Sequence, residues 1–214
     1  MWITAARQNQ GRGRRGRAWE TGEGNLAASL LLVTQKPTGE AAQISFVAAL
    51  AAYDLAAAFV PADNVALKWP NDLMIDRRKA GGILVESGTL DGQMWLVVGM
   101  GINLARPPLE AQVPATALSL HITAPPPVPI VALEVLSAAF AYWQGIWERS
   151  GFEPIAQAWT QKAMGLGEAC TARLPTETVT GIAEGLDIDG ALRLKPADGT
   201  VRRITAGDVF FGAT

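Results

Sequence analysis

Apolar positions along this 214-residue chain recur with two different periods, and the changes between them divide it into elements. Met1 to Ala6 and Leu26 to Thr34 are short β-type runs, the second apolar enough for a buried strand. In Glu40 to Val60, Ile44, Val47, Ala48, Ala51 and Leu55 recur at helix spacing among good helix formers, and Pro61 stops the run. Val65 to Asp76 starts as a strand, breaks at Pro70-Asn71-Asp72 and resumes. Lys79 to Thr89 and Gln93 to Leu104 are strands joined at Asp91-Gly92, a strong hairpin signal. After a proline-rich connection, Ala105 to Pro129, a second helix is predicted over Ile130 to Arg149. Leu133, Leu136, Phe140, Trp143 and Trp147 share one of its faces, so its tryptophans read as core rather than as a ligand cage. Phe152 to Ala163 reads as a shorter helix. From Glu168 onward, short β segments alternate with Gly190, Asp198-Gly199 and Gly207-Asp208, the texture of a small barrel-like module. The expected division is 1–166 and 167–214.

Composition narrows the class. Hydrophobic residues make up 49% of the chain, enough for a real core, and the net charge is -2. Neither an export signature nor an apolar run of about 18 residues is evident; the longest helical candidate, Ile44 to Val60, is interrupted by Ser45 and Asp54. The single cysteine, Cys170, rules out an internal disulfide framework, and the cytoplasm is the expected compartment. His121 is the only histidine. A multi-histidine metal site is therefore impossible, and His121 itself, just ahead of Pro125-Pro126-Pro127, reads as a loop or packing residue.

The densest chemistry lies in Gln8 to Trp19, QNQGRGRRGRAW, where Gly11, Gly13 and Gly16 separate Arg12, Arg14, Arg15 and Arg17. Glycine lets backbone approach closely, and guanidinium forks match carboxylate or phosphate oxygens. On the loop alone, a nucleic-acid contact or a solvated basic turn competes with an anion-binding loop. A chain with a pI near 5.5 has no basic face to extend the patch along a nucleic acid, which favours a small anionic ligand. Lys79 and the pairs Gly81-Gly82 and Gly99/Gly101 are weaker signals: a lone strand lysine is usually a surface residue, Asn71-Asp72 alone is turn chemistry, and strand glycines can be bulges.

Four motifs in this order, GRGRRGRAW (Gly11 to Trp19), KWPNDL (Lys68 to Leu73), KAGGILVE (Lys79 to Glu86) and VGMGINL (Val98 to Leu104), resemble the biotin protein ligase family. TGIAEGLDIDGALRL resembles the family's small C-terminal domain, so the resemblance spans nearly the whole chain. It implies an α+β fold: a mixed, largely antiparallel sheet backed by helices, followed by an SH3-like C-terminal β-barrel. It also implies a reaction in which biotin and ATP give biotinyl-5′-adenylate, with Mg²⁺ as the metal, and a lysine of a biotin carboxyl carrier protein then takes the biotinyl group. By position in the motifs, Arg12, Arg14 and Lys79 would be catalytic. Gln8, Gly11, Arg12, Gly13, Arg14, Lys79, Gly82 and Gly101 would meet biotin, and Arg14, Trp19, Asn71 and Asn103 the nucleotide, with Trp19 stacked on adenine. Asp72 would meet Mg²⁺, and Arg15 and Arg17 would order or shield the loop.

The other readings are a non-catalytic biotin- or adenylate-binding remnant and a lipoate ligase-like enzyme. A homodimer stays open, and neither nucleic acid nor membrane is expected as a partner. Family members usually carry a Ser-Thr-Asn segment before the strand in which Met1 falls. The expectation is that Met1 is a late start and that a chain beginning there binds biotin weakly, a partly disabled paralogue being the alternative. No DNA-binding portion precedes the ligase-like motifs in these 214 residues.

Overall fold

The computed structural model describes residues 1–111 and 113–212. Its larger sheet contains β1 (Trp2–Thr4), β2 (Leu26–Thr34), β3 (Val65–Lys68), β4 (Asp72–Ile75), β5 (Arg78–Leu90) and β6 (Gln93–Ile102), in the order β1-β2-β6-β5-β4-β3. All these ladders are antiparallel. Parallel pairing enters only at two isolated bridges among the described residues, Leu67 with Ala163 and Lys79 with Ala115.

Alternation, broken once by a register shift between β4 and β5, gives the sheet two unlike faces. In β6, Leu96, Val98, Met100 and Ile102 are buried on one side, while Val97, Gly99 and Gly101 face the other. Against the buried side lie α1 (Thr38–Ala41) and α2 (Ile44–Ala57). The run read as one helix is divided by a turn at Ala42-Gln43, and buried Gln43 accepts a 3.0 Å hydrogen bond from Trp147 Nε1. Spacing suggests one buried stripe on α2, but Phe46, Ala49, Leu50 and Ala52 are buried as well. The sheet lies on one side of α2, and α3 (Pro129–Ser150) with α4 (Glu153–Lys162) cover most of the rest, leaving only Ser45, Tyr53, Asp54 and Ala57 partly open to water.

By length and hydropathy, α3 is a described helix that could cross a membrane, contrary to the expectation that Ile44 to Val60 is the longest apolar candidate. Its inward stripe, Ala132, Leu136, Phe140 and Trp147, belongs to the core. Trp143 donates 2.6 Å to Asp54 on α2.

The second sheet holds β7 (Ala169–Arg173), β8 (Thr178–Leu186), β9 (Leu192–Lys195), β10 (Arg202–Ile204) and β11 (Asp208–Phe211), in the antiparallel order β10-β9-β8-β7-β11. It meets the helices at an aromatic cluster within the helix layer, where Phe46 packs edge-on against Phe152 and Trp159, at 5.2 and 5.6 Å between centroids. A side chain at Gly190 would collide with the Phe46 ring, so only glycine lets this turn approach the helix layer.

Two outcomes are expected. Leu50→Ala, at the centre of α2, should cost about 2–5 kcal/mol in a urea titration, because the cavity left is closed on all sides. Burial raises the Cys170 thiol to about 11. At pH 8 only about a thousandth is then thiolate, so the native protein should be inert to an aromatic disulfide reagent and react fully once unfolded.

Candidate functional site

The sheet face turned away from the helices forms the floor of a cavity of about 750 Å³. Glycine makes the floor flat. A Cβ on Gly101 would run into the Trp19 indole, and one on Gly82 would lie 3.3 Å from that ring and 3.4 Å from Lys79 Nζ. Trp19 thus stands directly over both glycines, with Lys79 Nζ 5.8 Å from its ring centre.

The arginine loop closes on itself before it reaches the cavity. Trp19 N–H donates to Gly11 C=O at 2.8 Å, Gly13 N–H to Arg17 C=O at 2.7 Å, and Arg12 pairs with Ala18. A side chain at Gly11 would strike the Trp19 carbonyl, so Gly11 is needed for that closure. At Gly13 a Cβ would meet only the Arg17 carbonyl, at 3.6 Å. The Gly13 and Trp19 amides are therefore used within the loop, and its positive charge comes from side chains.

Those side chains are not equally placed. Arg12 lies at the rim, 3.6 Å from Glu86, and Arg15 and Arg17 reach Asp208 of β11 at 3.1 and 2.8 Å. Lys79 pairs with Asp72 at 2.5 Å. Half-buried Arg14 differs, because its Nη1 meets only neutral acceptors, Asn71 Oδ1 and Gly207 C=O, each at 3.4 Å. Half-buried Lys68, opposite Asp72 in the β3–β4 hairpin, also lines the cavity. Among the described residues, neither Arg14 nor Lys68 has a carboxylate within ion-pair distance. Burial lowers the pKa of both; for Arg14 the neighbouring Arg15 and Arg17 add to this, and for Lys68 Lys79 does, while Asp208 and Asp72 oppose it. Two partly desolvated cations without a directly paired carboxylate create a local demand for an anion.

The Biotin/lipoate A/B protein ligase family matches residues 2–103, and the Biotin protein ligase C terminal domain matches residues 165–212. A biotin–[acetyl-CoA-carboxylase] ligase of Paracoccus denitrificans is 43% identical over 99% of this chain and 90% of its own length. The chain belongs to the biotin protein ligase family. The Bacillus subtilis bifunctional ligase/repressor BirA is 30% identical over 98% of this chain and 66% of that protein. Biotin protein ligase from Aquifex aeolicus, solved with biotin and ATP, superposes with a TM-score of 0.84 at 26% identity, covering 100% of this chain and 89% of that one. The α+β architecture and the SH3-like second sheet are those of the family.

Within this biotin ligase-type fold, Gln8, Arg12, Gly13, Arg14, Trp19, Asn71, Asp72, Lys79, Gly82, Gly101 and Asn103 all border one cavity, whereas Gly11 lies in the loop closure behind it. Gln8 accepts 2.7 Å from Thr21 Oγ1. Asn71 donates 2.7 Å to Ile83 C=O, and Asn103 donates 2.9 Å to Thr116 C=O. Lys79 is held along its backbone too: its N–H donates to Pro114 C=O and its C=O accepts from Thr116 N–H. Thr116 Oγ1 lies 2.7 Å from His121 Nε2, and His121 Nδ1 lies 2.9 Å from Asp76. The lone histidine therefore has a local packing role, fastening the connection that flanks Lys79.

Sequence reasoning did not find Lys68, Asp208 or the purpose of Trp69. Lys68 could have been found from its place at the end of a strand that faces the Lys79 strand through Asp72. Nothing local marks Asp208. Trp69 is buried, and its Nε1 donates 3.1 Å to Gly190 C=O, so the tryptophan of KWPND fastens the Asn71-Asp72 turn to the second sheet.

Gly101→Ala should push the Trp19 indole off the floor. The expected outcome is an altered near-ultraviolet circular dichroism band with an unchanged far-ultraviolet spectrum, and no such alteration when Trp19→Phe is the background.

Proposed function

We propose that this chain is an ATP-dependent ligase that activates biotin as biotinyl-5′-adenylate and passes it to a lysine of a biotin carboxyl carrier domain. The observation that carries the reading is the cluster of Arg14, Lys68 and Lys79 over a glycine floor, two of the three lacking a carboxylate partner among the described residues. In the first step a biotin carboxylate oxygen attacks the α-phosphorus of ATP, a P–O bond forms, and the bond to pyrophosphate breaks. Both reactants are anions, so bringing them together requires several kcal/mol of fixed positive charge in a site shielded from water. In the second, a neutral lysine amine attacks the anhydride carbonyl, expels AMP and sheds a proton.

In this reading Arg12, Arg14 and Lys79 are catalytic, and Lys68 joins them at the phosphates. Gln8, Gly11, Gly13, Gly82 and Gly101 shape the biotin slot, and Arg14, Trp19, Asn71 and Asn103 serve the nucleotide. Trp19 lies over the same glycines that carry the biotin slot, so it would form a wall shared between the two ligands. For Mg²⁺ the fit is poor: no group of three or more His, Cys, Asp or Glu forms a metal site among the described residues, and Asp72 is engaged by Lys79. The ion would enter with ATP as part of the substrate, Asp72 being the carboxylate it would meet. The division at 166/167 separates a catalytic unit from the second sheet in the same reading.

The test is biotin-dependent exchange of labelled pyrophosphate into ATP. Activity is expected with biotin and not with lipoate; binding without exchange would identify a remnant. Lys79→Ala should reduce exchange about 100-fold or more while the melting temperature moves by only a few degrees. Lys68→Met should raise KM for ATP about tenfold, the loss of one charge-assisted contact. Unchanged exchange in both variants would remove these cations from the reaction.

A further inference from the structure

We infer that Asp208 of the second sheet is a positioning residue that holds the arginine loop in its productive shape, leaving the Arg14 guanidinium for the anionic ligand. Arg15 Nη1 contacts Asp208 Oδ2 at 3.1 Å and Arg17 Nη2 contacts Oδ1 at 2.8 Å, so each oxygen of one carboxylate takes one arginine. The neighbouring Gly207 carbonyl accepts from Arg14. Four arginines within six positions repel one another, and a tight turn with Arg15 at φ 57° and Gly16 at φ 72° has no apolar anchor of its own; neither Arg15 nor Arg17 is buried. A single carboxylate from a strand roughly 190 residues away offsets that repulsion and sets the direction of each guanidinium.

The arrangement separates two kinds of arginine that sequence treats alike. Arg15 and Arg17 are both engaged by the Asp208 carboxylate, although Arg17 also borders the cavity, whereas Arg14, between Asn71 and Gly207, borders it with neutral partners alone. Asp208 also stays charged where it is needed. Burial raises its pKa, but the hydrogen bond from Arg17 and the charges of Arg17, Arg15 and Arg14 outweigh this, leaving it below the usual carboxylate range. The clamp is therefore complete above the ordinary aspartate pKa and lost only as pH falls through the lowered one.

The functional consequence rests on the ligase reading, but the clamp can be tested without it. Trypsin cuts after arginine only where the chain yields locally, so cleavage after Arg12, Arg14, Arg15 and Arg17, followed by mass spectrometry, reads the order of the loop directly. Asp208→Asn should speed cleavage within the loop at least fivefold, Asp208→Glu should restore slow cleavage, and Glu177→Gln, which breaks the Arg202 pair elsewhere in the same sheet, should change nothing. If Asp208→Asn destabilises the whole chain, cuts outside the loop accelerate equally and Arg17→Gln, tested alongside, decides. Equal loop cleavage in Asp208→Asn and the unmodified protein, or an equal effect of Glu177→Gln, would overturn the inference. In pyrophosphate exchange, Asp208→Asn should raise KM for ATP several-fold with kcat within about twofold. An unmodified protein without exchange would defeat the ligase reading and leave the proteolysis result standing.

Discussion

The structure depends on one sheet having two unlike faces. Because β6 alternates along its length, and β5 does so after the irregularity at Ala80, each apolar residue turned toward α2 forces its neighbour toward the opposite face, and glycines at 82, 99 and 101 keep that opposite face low. The helix layer supplies stability on one side, and the other is left flat enough to accept a planar group. A one-residue slip in register would exchange the faces, putting Met100 and Ile102 in the cavity and the glycines against α2.

Charge is arranged on that platform by a division of labour. Most cations near the cavity are matched by carboxylates: Arg12 by Glu86, Lys79 by Asp72, Arg15 and Arg17 by Asp208. Arg14 and Lys68 are half-buried without a carboxylate at ion-pair distance among the described residues, Arg14 meeting neutral acceptors and Lys68 lying 5.6 Å from the Phe210 ring centre. Matching some charges and leaving others open localises the attraction for an anion to a small volume, which a uniformly basic loop would not do.

Much of this could be read from the residues, and what could not has a physical reason. Strand β2 was legible to the residue and the β5–β6 hairpin almost so, because period-two alternation and Asp91-Gly92 are local signals. Burial of α2 on more than one side was not, since an alanine-rich surface looks the same whether another helix or water lies beyond it; α3 decided that. The members of the cleft were legible because the motifs are ordered along the chain, yet the roles of Gly11 and Gly13 were not separable until the loop's own hydrogen bonds were seen. Lys68 and Asp208 owe their importance to neighbours contributed by other strands, about which neighbouring residues in sequence say nothing.

The hydrogen bond from Trp69 to the Gly190 carbonyl has a mechanical consequence. Together with the carboxylate on β11, it means that both rims of the cleft, the arginine loop and the Asn71-Asp72 turn, are moored to the same small sheet. A pull or tilt applied to that sheet from outside is transmitted to both rims at once, so the width of the entrance is set by the pose of a module that supplies almost none of its floor.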